Sequence, residues 1–391
     1  MAVAGLLSLG DEAATPSAAD LMRSTDATTA ALEELFEAFL NHQGSADLLA
    51  THFRTTRPTT DNAKVGLRVL YAIGRPEPLL ESALREAAGL AARRKPPTKQ
   101  QIAQLAKDAM SRGDAARGEA IFRRRELNCL ACHAVSGAGG DVGPDLLGIG
   151  TSAPADYLVE SLLDPGKKVK EGYVAATVVT VAGRVFTGVK VNENNTHVTL
   201  RSSTREDIVI SKRDIAHEVD AGSVMPAGVI DLLTRPEQMD LVRFLSQLGK
   251  PGPYEPSPRR FVRSWSVLTS TQSIPTSLDV AAIAGRLSAS DESAWRVAIG
   301  RVAGDLPIDD LPTLGETQIH VLRSRMEIRQ AGRITLSVND PRGISIHVHG
   351  TTYQADASST IALDLPVGSY HLLWRVDGAA RDNKPIQVEL N

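Results

Sequence analysis

At 391 residues and 42% hydrophobic composition, the chain is long enough for two or three domains with ordinary cores. Its formal charge of -3 argues against a nucleic-acid binder. No stretch approaches the roughly 18 apolar residues of a membrane span. The fold class read from the pattern is multidomain α+β. A helical region at 1–97 precedes an all-α core at 98–250, which carries a β insertion at 173–220. A linker at 251–260 leads to a β-sandwich at 261–391.

Residues 1–10 are mildly apolar but lack a basic leading segment, so they read poorly as a signal peptide. Residues 11–19 are small and acidic and read as disordered. Leu32, Leu35, Phe36 and Phe39 recur at helical spacing. Val65, Leu67, Val69, Leu70 and Ile73 predict a second buried helix, stopped by Gly74 and Pro76. Leu79, Leu80, Ala83, Leu84 and Ala87 predict a third amphipathic face. Short helices joined by short turns resemble the end of a helical-repeat array, although no repeat period is visible. Arg93-Arg94-Lys95-Pro96-Pro97 reads as a linker. Thr98 then caps a helix through Met110, and a second helix is expected from Asp114 to Arg125. On it, Gly118 and Phe122 are four apart and share a face.

Next comes Cys129-Leu130-Ala131-Cys132-His133. Two thiols three positions apart, followed at once by an imidazole, form the attachment signature for c-type haem. Cysteines on one tight turn can reach both vinyl groups of a porphyrin, and the next residue then falls under the ring. A thioredoxin-like dithiol would want a preceding strand, yet the residues before Cys129 read as helical. A structural zinc site needs about four ligands, and the chain has only these two cysteines. Covalent haem attachment takes place on the outer side of the bacterial inner membrane. The chain is therefore expected to start inside a longer precursor or to have had its leader replaced.

Residues 136–140 read as a flexible loop. In Gly143-Pro144-Asp145-Leu146 the proline follows the motif at a distance that suits support of a ligand histidine. Residues 157–163 predict a helix ended by Pro165-Gly166. From Tyr173 to Asp220 the period changes to two. Val185, Thr187, Val189 and Val191 alternate, as do Val198 and Leu200, which predicts four or five strands with hairpin turns. Helical spacing returns at Met239, Leu241, Val242, Phe244, Leu245 and Leu248, in a helix expected to begin near Thr234 or Pro236. Beyond a proline-rich stretch at 250–258, alternation at Ile334–Val338, Ile344–Val348, Ile361–Leu365 and Tyr370–Trp374 predicts a sandwich.

An iron held by His133 needs a second axial ligand or an open face. Of the six methionines, only Met225 lies in a loop just before the closing helix, with Pro226 after it. His217 and His197 are the rivals. Both fall on predicted strands.

With these residues in view, the middle of the chain resembles class I cytochrome c. It is most similar to the planctomycete/verrucomicrobial haem-binding type, which carries a β insertion before its methionine. Cys129, Cys132 and His133 correspond to haem attachment, Pro144 to the histidine-supporting loop, and Met225-Pro226 to the sixth-ligand loop. Gly118, Phe122 and Phe244 correspond to the crossing of first and last helices. The spacing from Phe122 to Cys129 is a few residues longer than in small cytochromes. The C-terminal part resembles a PA14-type β-sandwich, in which His349 replaces the acid of an Asp-Gly turn. That replacement argues against calcium-dependent sugar binding.

The resemblance implies a non-catalytic electron carrier with one haem c per chain, its iron held by His133 and Met225. Its partners would be redox proteins of the periplasm or cell envelope, a dehydrogenase as donor and a cytochrome or oxidase as acceptor. Two other classes compete. One is a haem enzyme or gas sensor with an open sixth site. The other is a cell-surface binding module.

Overall fold

The computed structural model of the chain describes residues 14–24, 27, 29–40, 45–73, 77–90, 96–202, 207–225, 228–269, 279–287, 294–309, 311–312 and 318–391. The expected stops at Gly74 and Pro76, the basic part of the first linker and Pro226 lie outside these residues. The chain forms two compact units. The first runs to Cys132 and adds 142–144 and 148–248; the second takes 133–141, 145–147 and 249–391. Among the described residues no helix is long and apolar enough to cross a membrane.

The first unit opens with α1 (Ala14–Arg23), α2 (Thr29–Leu40), α3 (Ser45–Phe53), α4 (Thr60–Ile73) and α5 (Pro78–Ala87). Residues 14–19, expected to be disordered, are helical instead. Ala18, Ala19 and Met22 are fully buried, so tertiary packing organises a segment with little apolar mass of its own. Phe36 and Phe39 of α2 and Leu67 of α4 share that core with Leu80 and Leu84 of α5. Leu79, placed on the α5 apolar face by sequence, is 59% exposed; the buried stripe runs through Leu80, Leu84 and Ala87.

Helix α6 (Lys99–Arg112) starts at Thr98, whose hydroxyl accepts from Gln101 N while the Gln101 side chain accepts from Thr98 N. It buries Ile102, Leu105, Ala106 and Ala109, the i, i+3, i+4, i+7 stripe of an amphipathic helix. Helix α7 (Ala115–Phe122) is shorter than expected. A single 3-10 turn at Arg125–Leu127 follows, then Asn128 in the left-handed region at φ 56°. These residues take up the extra length between Phe122 and Cys129. Three further helices complete the unit beside the motif turn α8 (Cys129–Cys132): α9 (Ile149–Ser152), α10 (Ala155–Leu163) and α11 (Arg235–Gln247). Thr234 caps α11 in a reciprocal box with Glu237.

Two further strands, β1 (Ala134–Val135) and β2 (Ala138–Gly139), form a hairpin in the second unit. Five strands intervene between α10 and α11: β3 (Ala175–Thr180), β4 (Val185–Glu193), β5 (His197–Arg201), β6 (Asp207–Ser211) and β7 (Ile215–Gly222). They form one antiparallel sheet in the order β6-β5-β4-β3-β7. Its first and last strands are neighbours, with Ala175 opposite Gly222, so the two ends of the insertion return to one place. Ala176, Val178, Val198, Leu200 and Ile210 make its apolar face.

The rest of the second unit contains a six-stranded and a five-stranded sheet over one core that includes Trp265, Val267, Leu336, Ile346, Leu363, Trp374 and Val388. The strands are β8 (Arg260–Phe261), β9 (Ser264–Leu268), β10 (Trp295–Ile299), β11 (Asp305–Leu306), β12 (Ile319–Ile328), β13 (Gly332–Val338), β14 (Ile344–Val348), β15 (Thr351–Tyr353), β16 (Thr360–Leu365), β17 (Gly368–Asp377) and β18 (Ile386–Leu390). Trp265 and Trp374 meet edge to face at 5.2 Å between centroids, and Trp374 Nε1 donates to Ser324 Oγ.

The expected fold class is therefore corrected. The described chain is mixed α/β with substantial sheet content, 12 helices and 18 strands in four sheets, about 34% helix and 30% strand. The expected separation into an all-α core with a β insertion and a C-terminal β-sandwich does not hold. Helix α12 (Val280–Arg286) lays Val280 and Ile283 on Ile319, Val321 and Leu373 of the six-stranded sheet. The residues directly after the cysteine motif pair as strands rather than forming a flexible loop. Strands of two residues are too short to show alternation, and a seven-residue helix is too short to show a periodic stripe.

Candidate functional site

The site is built from a single turn upward. Asn128, in the left-handed conformation, ends the 3-10 turn, and α8 begins at the next residue. Cys129 and Cys132 occupy the two ends of that one turn, both half-buried and neither in a disulfide. A spacing of three places both on one side of a helical turn. The Cys129 thiol lies 3.8 Å from Leu127 O. The Cys132 carbonyl accepts from Gly143 N at 2.7 Å, which fixes Pro144 one residue beyond that bond. Both Pro144 and His133 are half-buried.

His133 begins the hairpin of the second unit. Ser136 and Gly137, at φ 58° and 75°, make the two-residue turn with positive φ that matches the twist of a hairpin. Gly139, at φ 128°, is required by close approach: a Cβ there would stand 2.3 Å from His133 O. The Asp145 carboxylate accepts from Gly137 N and Leu147 N, both at 2.8 Å, and so ties the turn to the chain after Pro144.

The helix crossing in the first unit is tight. A Cβ on Gly118 would stand 2.0 Å from Asp240 O and 2.7 Å from Phe244 Cβ, so only glycine allows α7 and α11 this close. One turn on, Phe122 and Phe244 pack with centroids 5.6 Å apart, both buried. Such a pair adds about 0.5–1.5 kcal/mol beyond its buried area. The Asp240 carboxylate accepts from Asp114 N at 2.7 Å and from Arg117 Nε and Nη2 at 2.7 and 3.0 Å. It is 4% exposed, so its charge is compensated where α7 begins.

Met225 is half-buried, and its N–H donates to Ser223 Oγ at 3.1 Å. The other described methionines are engaged elsewhere. Met22, Met239 and Met326 are core residues, and Met110 Sδ lies 3.7 Å from Arg243 Nη1. His217 is exposed on β7. His197 is exposed on β5, with Nδ1 2.9 Å from Thr196 Oγ1. In the second unit, His349 and Gly350 form the positive-φ turn between β14 and β15, and the His349 ring meets Tyr370 edge-on at 5.7 Å. Among the described residues, no group of three or more His, Cys, Asp and Glu is placed to hold a bare metal ion.

Sequence reasoning missed the polar cluster where α4 meets the entry to α11. Arg68 Nη1 donates to Glu237 Oε2 and to Leu232 O, both at 2.9 Å. Arg124 Nη1 donates to Glu237 Oε1 at 2.6 Å, and Thr234 N to Glu237 Oε2 at 2.7 Å. Burial pushes the Glu237 carboxyl up, but Arg68 and Arg124 beside it and the Thr234 amide bring it below the ordinary glutamate value. Burial also pulls the Lys64 ammonium down, against the opposing effect of Asp61, Asp231 and Glu237. The available signal was the spacing of Asp61, Lys64 and Arg68, which puts three charges on one stripe of a helix otherwise rich in valine and leucine.

Comparison with protein-family models and with curated proteins returns no match for this chain.

Proposed function

We propose that the chain is a c-type cytochrome electron carrier resembling class I cytochrome c. It would bind one haem c through Cys129 and Cys132, with His133 and Met225 holding the iron. The observation that carries the reading is two cysteines at the ends of one turn, joined by no disulfide, with a histidine directly after the second. The donor set fits the group: two half-buried thiols for thioethers, an imidazole for iron, and a thioether sulfur ahead of α11. The Gly118 crossing, with Phe122 on Phe244, adds support.

When bound, the haem iron supplies a one-electron couple. The chain's own residues give it a fixed setting. Gly143 and Cys132 hold the backbone on either side of the motif, and the hairpin fixes the backbone at His133. Met225, were it to hold the iron, would supply a thioether sulfur, a ligand type that raises the reduction potential. The partners would be a dehydrogenase as donor and a cytochrome or oxidase as acceptor. The setting would be the periplasm or cell envelope, where c-type attachment is made. The reaction is transfer of electrons between proteins, with no substrate turned over by this chain.

Expressed in a host with c-type maturation, the protein should keep its haem through denaturing electrophoresis. Cys129→Ser or Cys132→Ser should weaken that attachment. Haem released on denaturation of the wild type would remove the reading. The ferric protein should also show the weak near-infrared band of methionine sulfur on haem. Met225→Ala should abolish that band and let the reduced protein bind carbon monoxide; an unchanged spectrum would assign the ligand elsewhere, with His217 the first candidate.

A further inference from the structure

We propose that α4 positions the segment that follows the sixth ligand: Asp61, Lys64 and Arg68 anchor the entry to α11, from Leu232 to Arg235, and so set how firmly Met225 would be held on iron. This rests on the reading of Met225 as ligand. The three side chains lie at i, i+3 and i+7 of one helix and so form one stripe. Each grips backbone within a four-residue span. Asp61 accepts from Arg235 N at 3.2 Å, Lys64 Nζ donates to Leu233 O at 2.8 Å, and Arg68 Nη1 donates to Leu232 O at 2.9 Å. The side chain of Gln238 takes Ile230 O at 3.2 Å from the other direction.

Residues 228–234 form turns rather than a helix or strand: Gly228 O, Ile230 O and Thr234 O accept backbone bonds, while Leu232 O and Leu233 O are met by side chains, Arg68 on the first and Lys64 with Gln238 on the second. Leu232, Leu233 and Ile230 carry this anchorage into the core: Leu233 and Ile230 are fully buried, and Leu232 packs on the core of α1–α5. Scaffolding alone does not call for a buried lysine. An apolar side chain would fill the same space at lower desolvation cost, whereas a directed N–H bond fixes one register of the loop. The anchor begins seven residues after Met225 in the chain. The helices before residue 97 thereby become part of the redox module instead of an appended domain.

The test uses the full-length holoprotein and two variants, Lys64→Met and Asp61→Ala. The second alters a half-exposed site and remains informative should the first fail to fold. Two signals are followed through a denaturant titration of the ferric protein, the near-infrared methionine band and the far-ultraviolet ellipticity. Carbon monoxide binding to the reduced protein is timed separately. In the wild type the band and the ellipticity should vanish together. In the variants the band should vanish at lower denaturant than the ellipticity. Carbon monoxide binding should speed up by about tenfold, as it would if the open fraction of the loop grew by that factor. A merely structural role would move both signals together and leave the gas rate unchanged, and that outcome overturns the inference while sparing the ligand assignment. A wild type without the band overturns the ligand assignment, and this inference falls with it.

Discussion

Replacing Gly118 by alanine is expected to lower the midpoint of thermal unfolding by about 4–8 °C, the shift that roughly 2 kcal/mol produces in a domain of this size. Helix propensity alone points the other way, since alanine is about 1 kcal/mol better than glycine inside a helix. Contact geometry decides between the two effects. The new Cβ would lie 2.0 Å from Asp240 O, which is backbone, so no rotamer relieves the overlap. Helices α7 and α11 would have to separate. Separation stretches the bonds from Asp114 and Arg117 to Asp240 and loosens the Phe122–Phe244 pair. Ala120→Gly, on the exposed side of α7, sets the scale for propensity alone and should cost about 1 kcal/mol. Gly118→Ala melting at or above the wild-type temperature would mean that the crossing is looser than described.

Much of this arrangement was legible in the chain. Thr98 and Thr234 announce their helices because a capping hydroxyl and a partner three residues on are local chemistry. Gly118 and Phe122 could be paired because four residues is one turn. The five strands between α10 and α11 were readable from alternation, and their closure on one another followed from the need to return to a helix. Other features were not legible, for physical reasons. The hairpin after His133 has strands of two residues and relies on Ser136 at positive φ, a conformation that serine seldom adopts. Helix α1 owes its order to burial of Ala18, Ala19 and Met22 against elements distant in sequence. The α4 stripe was hidden by the usual rule that charges mark the solvent side of a helix. Lys64 and Arg68 are buried because a second element supplies carbonyls and a carboxylate to meet them. At Cys129-Leu130-Ala131-Cys132-His133 the residue types and their spacing were legible, and the structure adds that the two cysteines share a turn and form no disulfide.

Glu237→Gln is expected to destabilise the protein by about 3–5 kcal/mol, the cost of removing one partner from a buried ion pair. Arg68 is 4% exposed at its side chain and Glu237 9%, so the guanidinium has little water to replace the lost charge. Arg68 Nη2 already lacks a hydrogen-bond partner, which leaves no spare contact to compensate. Arg124 is 29% exposed and can turn toward solvent, so most of the cost falls on Arg68. Replacing both Arg68 and Glu237 by methionine should recover part of the loss, because an apolar pair removes both members of the buried ion pair together. The recovery is incomplete, since Leu232 O loses its donor. The pH dependence follows from the same balance. The folded-state carboxyl stands below the ordinary glutamate value, so the unfolded chain binds more protons there. Its stabilising contribution is fully present above about pH 4.3, the usual unfolded value, and is lost as pH falls through the lower folded value. Wild-type unfolding free energy should therefore drop in acid more steeply than that of Glu237→Gln, which has no proton to take up. The two curves should approach each other at low pH. Parallel curves across that window would assign the acid sensitivity to other carboxylates and leave Glu237 a hydrogen-bond acceptor whose charge contributes nothing.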